Sequence, residues 1–413
     1  MNRRQFFSCA ATTAVALAGS ATIRPNSAFS AKLPGLYKYT GFSKEFVLPE
    51  PLSLNQVEAM TPRQIADSSA LVRGAYQELH QVASSLERQE YRAIMFEYLT
   101  RPKLTFMTDL YRSPSDRKAI FDEMVKLGFF MAEDNADYVF PPGVENIQTM
   151  YTSAQSHNDW YGSHPGGMAL VVAFNIRIAD AHTNSYRSVY GVPANRDISA
   201  CALGIHETPK SWFHSWKPDG SYNEEPRGLY GLAFHTHATY ITAEMMHRGM
   251  DSALTMAVAA AHSTSSIDVK AEGHHTAVRL VGPAAVTDII HSAAVLAQVD
   301  PVDYGLLKRK SDGKYELAVL PAEQWITHLG DMNWPYTLGS AHPVSHDLLK
   351  TMAQEDYGIS AKDLQAFPYV KPFNQLKNYV WAQLGEITLY EVMQREGNDA
   401  ARALVKRLVN HTA

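Results

Sequence analysis

The chain has 413 residues, 46% of them hydrophobic, with 37 basic and 42 acidic residues and a formal charge of −5. That balance excludes nucleic acid as an electrostatically held partner, and the length exceeds one ordinary domain while leaving enough apolar residues for a packed core. Two cysteines, Cys9 and Cys201, exclude a disulfide framework.

The first thirty residues read as an address. Asn2-Arg3-Arg4-Gln5-Phe6-Phe7 is a twin-arginine pattern, followed by a weakly apolar stretch, Cys9 to Ala21, and by small residues at Ala28 and Ser30. The stretch is too short and too rich in Ala and Thr to span a bilayer, and Cys9 precedes it, the wrong order for a lipid-modified cysteine. A signal peptide over residues 1–30 is expected, with the twin-arginine translocase as partner during export to the periplasm or beyond. Such a route carries folded proteins, often with a metal already inserted. Cleavage would leave 34 basic against 42 acidic residues, a charge of −8, and Cys201 as the remaining thiol. No later apolar run reaches the ~18 residues of a spanning helix, so stable membrane insertion after cleavage is not expected.

Residues 31–60 form an extended lead-in. Thr61-Pro62 then opens one long amphipathic helix through Leu86, and further helices fit Gln89–Tyr98 and Ser115–Leu127, the last stopping at Gly128. Pro141-Pro142-Gly143 closes this cap, so 31–150 is one region. From Ser163-His164-Pro165 a helix runs to Gly191, with Met168, Val171, Val172, Ile176 and Ala179 on its apolar face. Asp197 is the expected cap of a short helix ending at His206, and Pro218-Asp219-Gly220 closes a small hairpin read as a lid. Helices follow over Gly228–Arg248, Ser252–His262 behind Asp251, and Pro283–Val299. A hairpin turns at Asp312-Gly313, and amphipathic helix returns over Leu376–Val409. The class is all-α, with a core over 151–310 and a hairpin plus helical region over 311–413.

Twelve of the seventeen histidines lie between His157 and His291, and the densest signal is Cys201-Ala-Leu-Gly-Ile-His206-Glu207-Thr208-Pro209-Lys210. Neutral imidazoles bind a metal and carboxylates balance its charge, so histidines and acids at the ends of successive helices point to a metal centre. The candidate ligands are His206, Glu207, His237, His262 and Asp300. His235 and His237 lie ~200° apart around a helix, so only one can face the site; His237 shares a face with Ile241 and Glu244 and is preferred. Cys201 sits on an Ala-rich helix and reads as packing. His274 and His275 read as non-ligands. Trp160, Trp212 and Trp216 flank the motifs and read as packing more than as a stacking platform. No Gly-x-Ser-x-Gly turn, phosphate loop or His-Glu-x-x-His helix is present.

The order His, His-Asp, His, His, Asp resembles the HD-domain metal-dependent phosphohydrolases. His206-Glu207-Thr208-Pro209-Lys210 is similar to that family's His-Asp-x-x-Lys with Glu for Asp. Ser163 to Leu170 resembles the approach to the family's first ligand helix, and Val299-Asp300-Pro301 its closing aspartate. The family's first histidine would fall near Val171, which leaves His164 as its nearest replacement. The resemblance covers roughly residues 160–310. It implies a helical bundle with one or two divalent ions (Mn, Fe, Zn, Mg or Ni) and hydrolysis of a small phosphoester by a metal-activated water. Glu207 would bind metal and orient that water, and Lys210 would hold a non-bridging oxygen. Two alternatives stay open: a di-iron oxygenase of the same fold, and a degenerate centre that binds a ligand without catalysis.

Overall fold

The computed structural model describes residues 46–140, 147–225, 236–262, 264–271, 274–281, 283–319, 321–332, 336–365 and 367–410. The expected leader, the Pro141-Pro142-Gly143 break and His235 lie outside them. Among the described residues the chain is predominantly helical, with three two-stranded ribbons. No described helix is long and apolar enough to cross a membrane.

The expected helix from Pro62 to Leu86 is two helices. Thr61 caps Pro62–Ser68 through a capping box with Gln64, and Ser69 then leaves the helical region and caps α1 (Ala70–Ser85). The Ser69 hydroxyl accepts from the Val72 amide and donates to the carbonyl of Ala382, a tertiary bond that holds the break open. Next come α2 (Gln89–Thr100) and a helix over Pro114–Lys126 that stops at Gly128, as periodicity and capping indicated.

The interior is built from α3 (Gly167–Tyr190), α4 (Arg196–Ile205), α5 (Thr236–His247), α6 (Ser252–Ala261), α7 (Pro283–Ala297) and α8 (Ala322–Asp331). Every residue of α4 from Asp197 to Ile205 is buried, and so is α6 from Leu254 onward, which makes these two the central helices. Helix α3 packs on α4 and α8, and α6 packs on α4, α5 and α8. Asp197 does not cap α4. Asn195 does, and the Asp197 carboxylate instead accepts from the amides of Glu87 and Arg88 ahead of α2.

Residues 264–271 and 274–281 pair antiparallel as β2 and β3, an extension that periodicity did not indicate; β1 (Leu52–Ser53) precedes them in the chain. The hairpin at Asp312-Gly313 forms as expected from β4 (Leu307–Arg309) and β5 (Tyr315–Leu317). The amphipathic helix expected over Leu376–Val409 forms as three helices, α10 (Lys371–Leu384), α11 (Glu386–Glu396) and α12 (Asn398–Lys406), separated by Gly385 and Gly397 and preceded by α9 (His342–Glu355). The strand β6 (Val409–Asn410) pairs parallel with β1. The turn at Pro218-Asp219-Gly220 forms, reduced to one bridge between Trp216 and Tyr222. It is tied down, because Asn374 and Asn378 of α10 donate to the carbonyls of Asp219 and Gly220, and that argues against a lid.

Candidate metal centre

Three interior helices end at one point. His206 is the residue after α4, His262 the residue after α6, and Asp331 the last residue of α8. One ligand atom from each, with one from Glu207, lies within 4.8 Å of the others. Helix carboxyl ends carry partial negative charge of about half a unit each, so their meeting favours a cation there before any side chain is counted.

The hydrogen bonds fix how the imidazoles face. His206 donates from Nδ1 to the carbonyl of Leu203 at 2.8 Å, which leaves Nε2 as the lone-pair nitrogen of the neutral ring. That nitrogen lies 3.3 Å from Asp331 Oδ1 and 3.5 Å from Glu207 Oε1. His262 stands between both carboxylates, with Nδ1 3.2 Å from Asp331 Oδ2 and Nε2 3.2 Å from Glu207 Oε1. His237, on α5, places Nδ1 2.7 Å from Glu225 Oε1, and its Nε2 lies 3.4 Å from Glu207 Oε2. The Nε2 atoms of His237 and His262 are buried with no hydrogen-bond partner among the described residues. Lone pairs facing carboxylate oxygens repel unless a proton or a metal ion lies between them. The donor set therefore fits a metal: imidazole nitrogens and carboxylate oxygens, with Glu225 fixing the outer nitrogen of one ring.

Charge in the centre is dominated by Glu207. Burial would raise its carboxyl, but Lys210 and the imidazoles of His237, His262 and His206 hold it well below the usual range. Lys210 Nζ lies 2.6 Å from Oε2, and the Gln155 amide donates to Oε1 at 2.6 Å. Burial likewise opposes ionisation of Asp331, yet His262 and His206 lower it. Glu225 is pushed up to about 8 by burial despite Lys210, so it is predominantly neutral at pH 7. Burial opposes a charge on His206, yet Glu207 and Asp331 raise its pKa, so the centre draws a positive charge, a proton or a metal ion, to that ring. His262 is the most exposed of these side chains, at 14%, with Lys210 next at 8%.

His206, Glu207, Lys210, His237 and His262 are thus brought together. His164 and Asp300 are not. Asp300 is exposed, accepts from the Val302 amide and pairs with Arg309 at 3.1 Å, the ordinary behaviour of an Asp that opens a turn before Pro301. His164 is buried elsewhere, with Nδ1 3.2 Å from its neighbour's carbonyl and Nε2 3.9 Å from Glu386, in a separate polar cluster. There Asp159 takes contacts from His346, Lys377 and Tyr369. Cys201 is buried packing, as expected. The indoles of Trp212 and Trp216 donate to the carbonyls of Pro102 and Thr152, and Trp160 packs on His157.

The sequence missed Asp331, Glu225 and Asn175. Asn175 lies one turn beyond Val171 on α3 and donates to Asp331 Oδ1 at 2.7 Å, so the polar residue this helix sends to the centre is an amide. A signal for Asp331 existed: an acid in the last turn of a helix opposes the macrodipole and calls for a compensating cation.

His214, beside this centre, gives a pH signature. Burial, and then the charge of Lys210, hold its pKa at about 3. The unfolded imidazole binds a proton below about 6.5 and the folded one does not, so the unfolded state binds more protons in that window. His214 stability is present in full above pH 6.5 and lost as pH falls toward 3, at about 1.4 kcal/mol per pH unit at most. Denaturant melts between pH 7 and 4 on the parent and on His214→Phe should show a shallower acid slope in the variant. Equal slopes would show that His214 is protonated in the fold.

No protein-family model, curated protein sequence or solved structure matches this chain.

Proposed function

We propose that the chain is an HD-like metal-dependent phosphohydrolase acting on a small phosphoester. The observation that carries this reading is the convergence of three helix ends that place His206, His262 and Asp331 around Glu207, with imidazole nitrogens facing carboxylate oxygens. His206, Glu207, His262 and Asp331 would hold the ion, with His237 completing the shell and Glu225 and Asn175 orienting the ligands. A divalent ion in that place supplies Lewis acidity, lowering the pKa of water and offsetting charge on phosphoryl oxygens. Lys210 neutralises Glu207 and is the cation nearest the centre for a non-bridging oxygen of the substrate. The cluster of His206, Glu207, His262 and Asp331 suits either chemistry, and the metal count separates them.

Metal analysis of protein purified without chelator, joined to assays on p-nitrophenyl phosphate and its bis ester, tests the reading. About one equivalent of metal with chelator-sensitive hydrolysis supports it. Two irons with oxygen consumption would favour the oxygenase, and no metal with no turnover the degenerate centre. Export by the twin-arginine route, proposed on Asn2–Phe7, is tested by an Arg3→Lys, Arg4→Lys variant, which should accumulate folded in the cytoplasm.

A further inference from the structure

A cavity of about 230 Å³ lies away from this centre, lined among others by Met107, Tyr111, Arg112, Arg117, Phe140 and Trp212. Lys210 and Trp212 are two residues apart on the short helix Lys210–Phe213, so they point ~200° apart. Lys210 reaches Glu207, and the Trp212 ring lines the cavity on the other face of that helix.

The floor is unusual for a protein interior. Arg117 is 9% exposed, and among the described residues no carboxylate pairs with it. Its Nη1 donates to the carbonyls of Tyr111 and Arg112, while its Nε is buried with no partner among the described residues. A buried guanidinium without a counter-charge is costly, and its planar fork suits the two oxygens of a carboxylate or phosphate. Arg112 stands exposed beside it, its Nε donating to the carbonyl of Thr108 at 3.1 Å. The remaining lining is aromatic or thioether except for Thr108, whose hydroxyl donates to the carbonyl of Thr105. The Tyr111 hydroxyl is taken by the carbonyl of Leu296 at 2.5 Å, and the Trp212 indole by that of Pro102, so ring surface is what these two offer. The volume is below that of a drug-sized pocket.

We infer that this cavity binds a compact aromatic or apolar molecule bearing one oxyanion group, with Arg117 taking the anion, Arg112 at its side and the rings of Tyr111, Phe140 and Trp212 enclosing the body. The site is distinct from the metal centre and needs no metal.

Calorimetric titration of the full chain with benzoate, phenyl phosphate and the neutral benzyl alcohol, before and after chelator treatment, tests this. At least one anion should bind one to one in both states, with benzyl alcohol silent; which anion binds tells carboxylate from phosphate as the natural group. Arg117→Gln should weaken binding roughly thirtyfold or more, and Arg112→Gln roughly threefold to tenfold. If Arg117→Gln fails to fold, the exposed Arg112→Gln decides. Silence from both anions, binding lost on metal removal, or unchanged affinity in folded variants would overturn the proposal.

Discussion

Glu207→Gln should lower metal content tenfold or more, measured by elemental analysis of protein purified without chelator, and any phosphoesterase turnover should fall with it. The amide nearly preserves volume but removes the charge that His206, His237, His262 and Lys210 all face. The same change has a second consequence that separates electrostatics from metal binding. Lys210, 6% exposed, loses its carboxylate, and breaking a buried pair by removing one partner costs about 3–5 kcal/mol. Adding Lys210→Met to Glu207→Gln should recover much of that stability without recovering metal. If the single variant keeps its metal, Glu207 is no ligand. Glu207→Asp keeps a carboxylate but withdraws it by about 1.5 Å, away from His237 and His262, so partial retention of metal is expected.

Gly167→Ala should destabilise the fold by more than about 4 kcal/mol or abolish soluble expression, a value reserved for a few mechanisms. A Cβ there would lie 2.0 Å from the carbonyl oxygen of Gly162 and 2.7 Å from its carbon, both backbone atoms with no rotamer to escape into. The Gly162 oxygen accepts the amide of Gln155, whose side chain holds Glu207, so relief of the clash would move the metal centre. Gly191→Ala is the control: its φ is +66° but nothing lies within 4 Å, so about 1–2 kcal/mol is expected from backbone strain alone. Chemical denaturation of both variants makes the comparison. Similar small losses would mean that the turn at Gly162 yields.

What could be read from the chain was local. Gly128, Gly191 and Gly249 end helices with positive φ, Asp251 caps α6, and Asp312-Gly313 turns a hairpin, because each depends on neighbours within a few residues. The failures were tertiary. Ser69 breaks a helix through a bond to Ala382, and Asp197 anchors the chain ahead of α2 from more than one hundred residues away in sequence. Within the site, the helix-end residues His206 and His262 were legible from the pattern, but the closing acid was placed at Asp300, by helix-end position and by resemblance alike. The residue that arrives is Asp331, beyond position 310, because Gly330 lets α8 approach α3 and α4: a Cβ there would sit 2.7 Å from Leu203 and 3.0 Å from Ala179. Neither effect leaves a periodic trace.

The parallel pairing of Leu52–Ser53 with Val409–Asn410, and the packing of α10 against the helices between residues 54 and 85, bear on the order of synthesis. A ribosome delivers these segments more than three hundred residues apart, at roughly 5–20 residues per second. The first helices made must wait for nearly the last to cover their apolar faces. Closure of the molecule therefore waits until residues 371–410 have left the ribosome, and until then the apolar faces of the helices between residues 54 and 85 stay uncovered. For a chain whose opening residues resemble an address for folded cargo, that delay sets the earliest moment at which a finished protein can be presented.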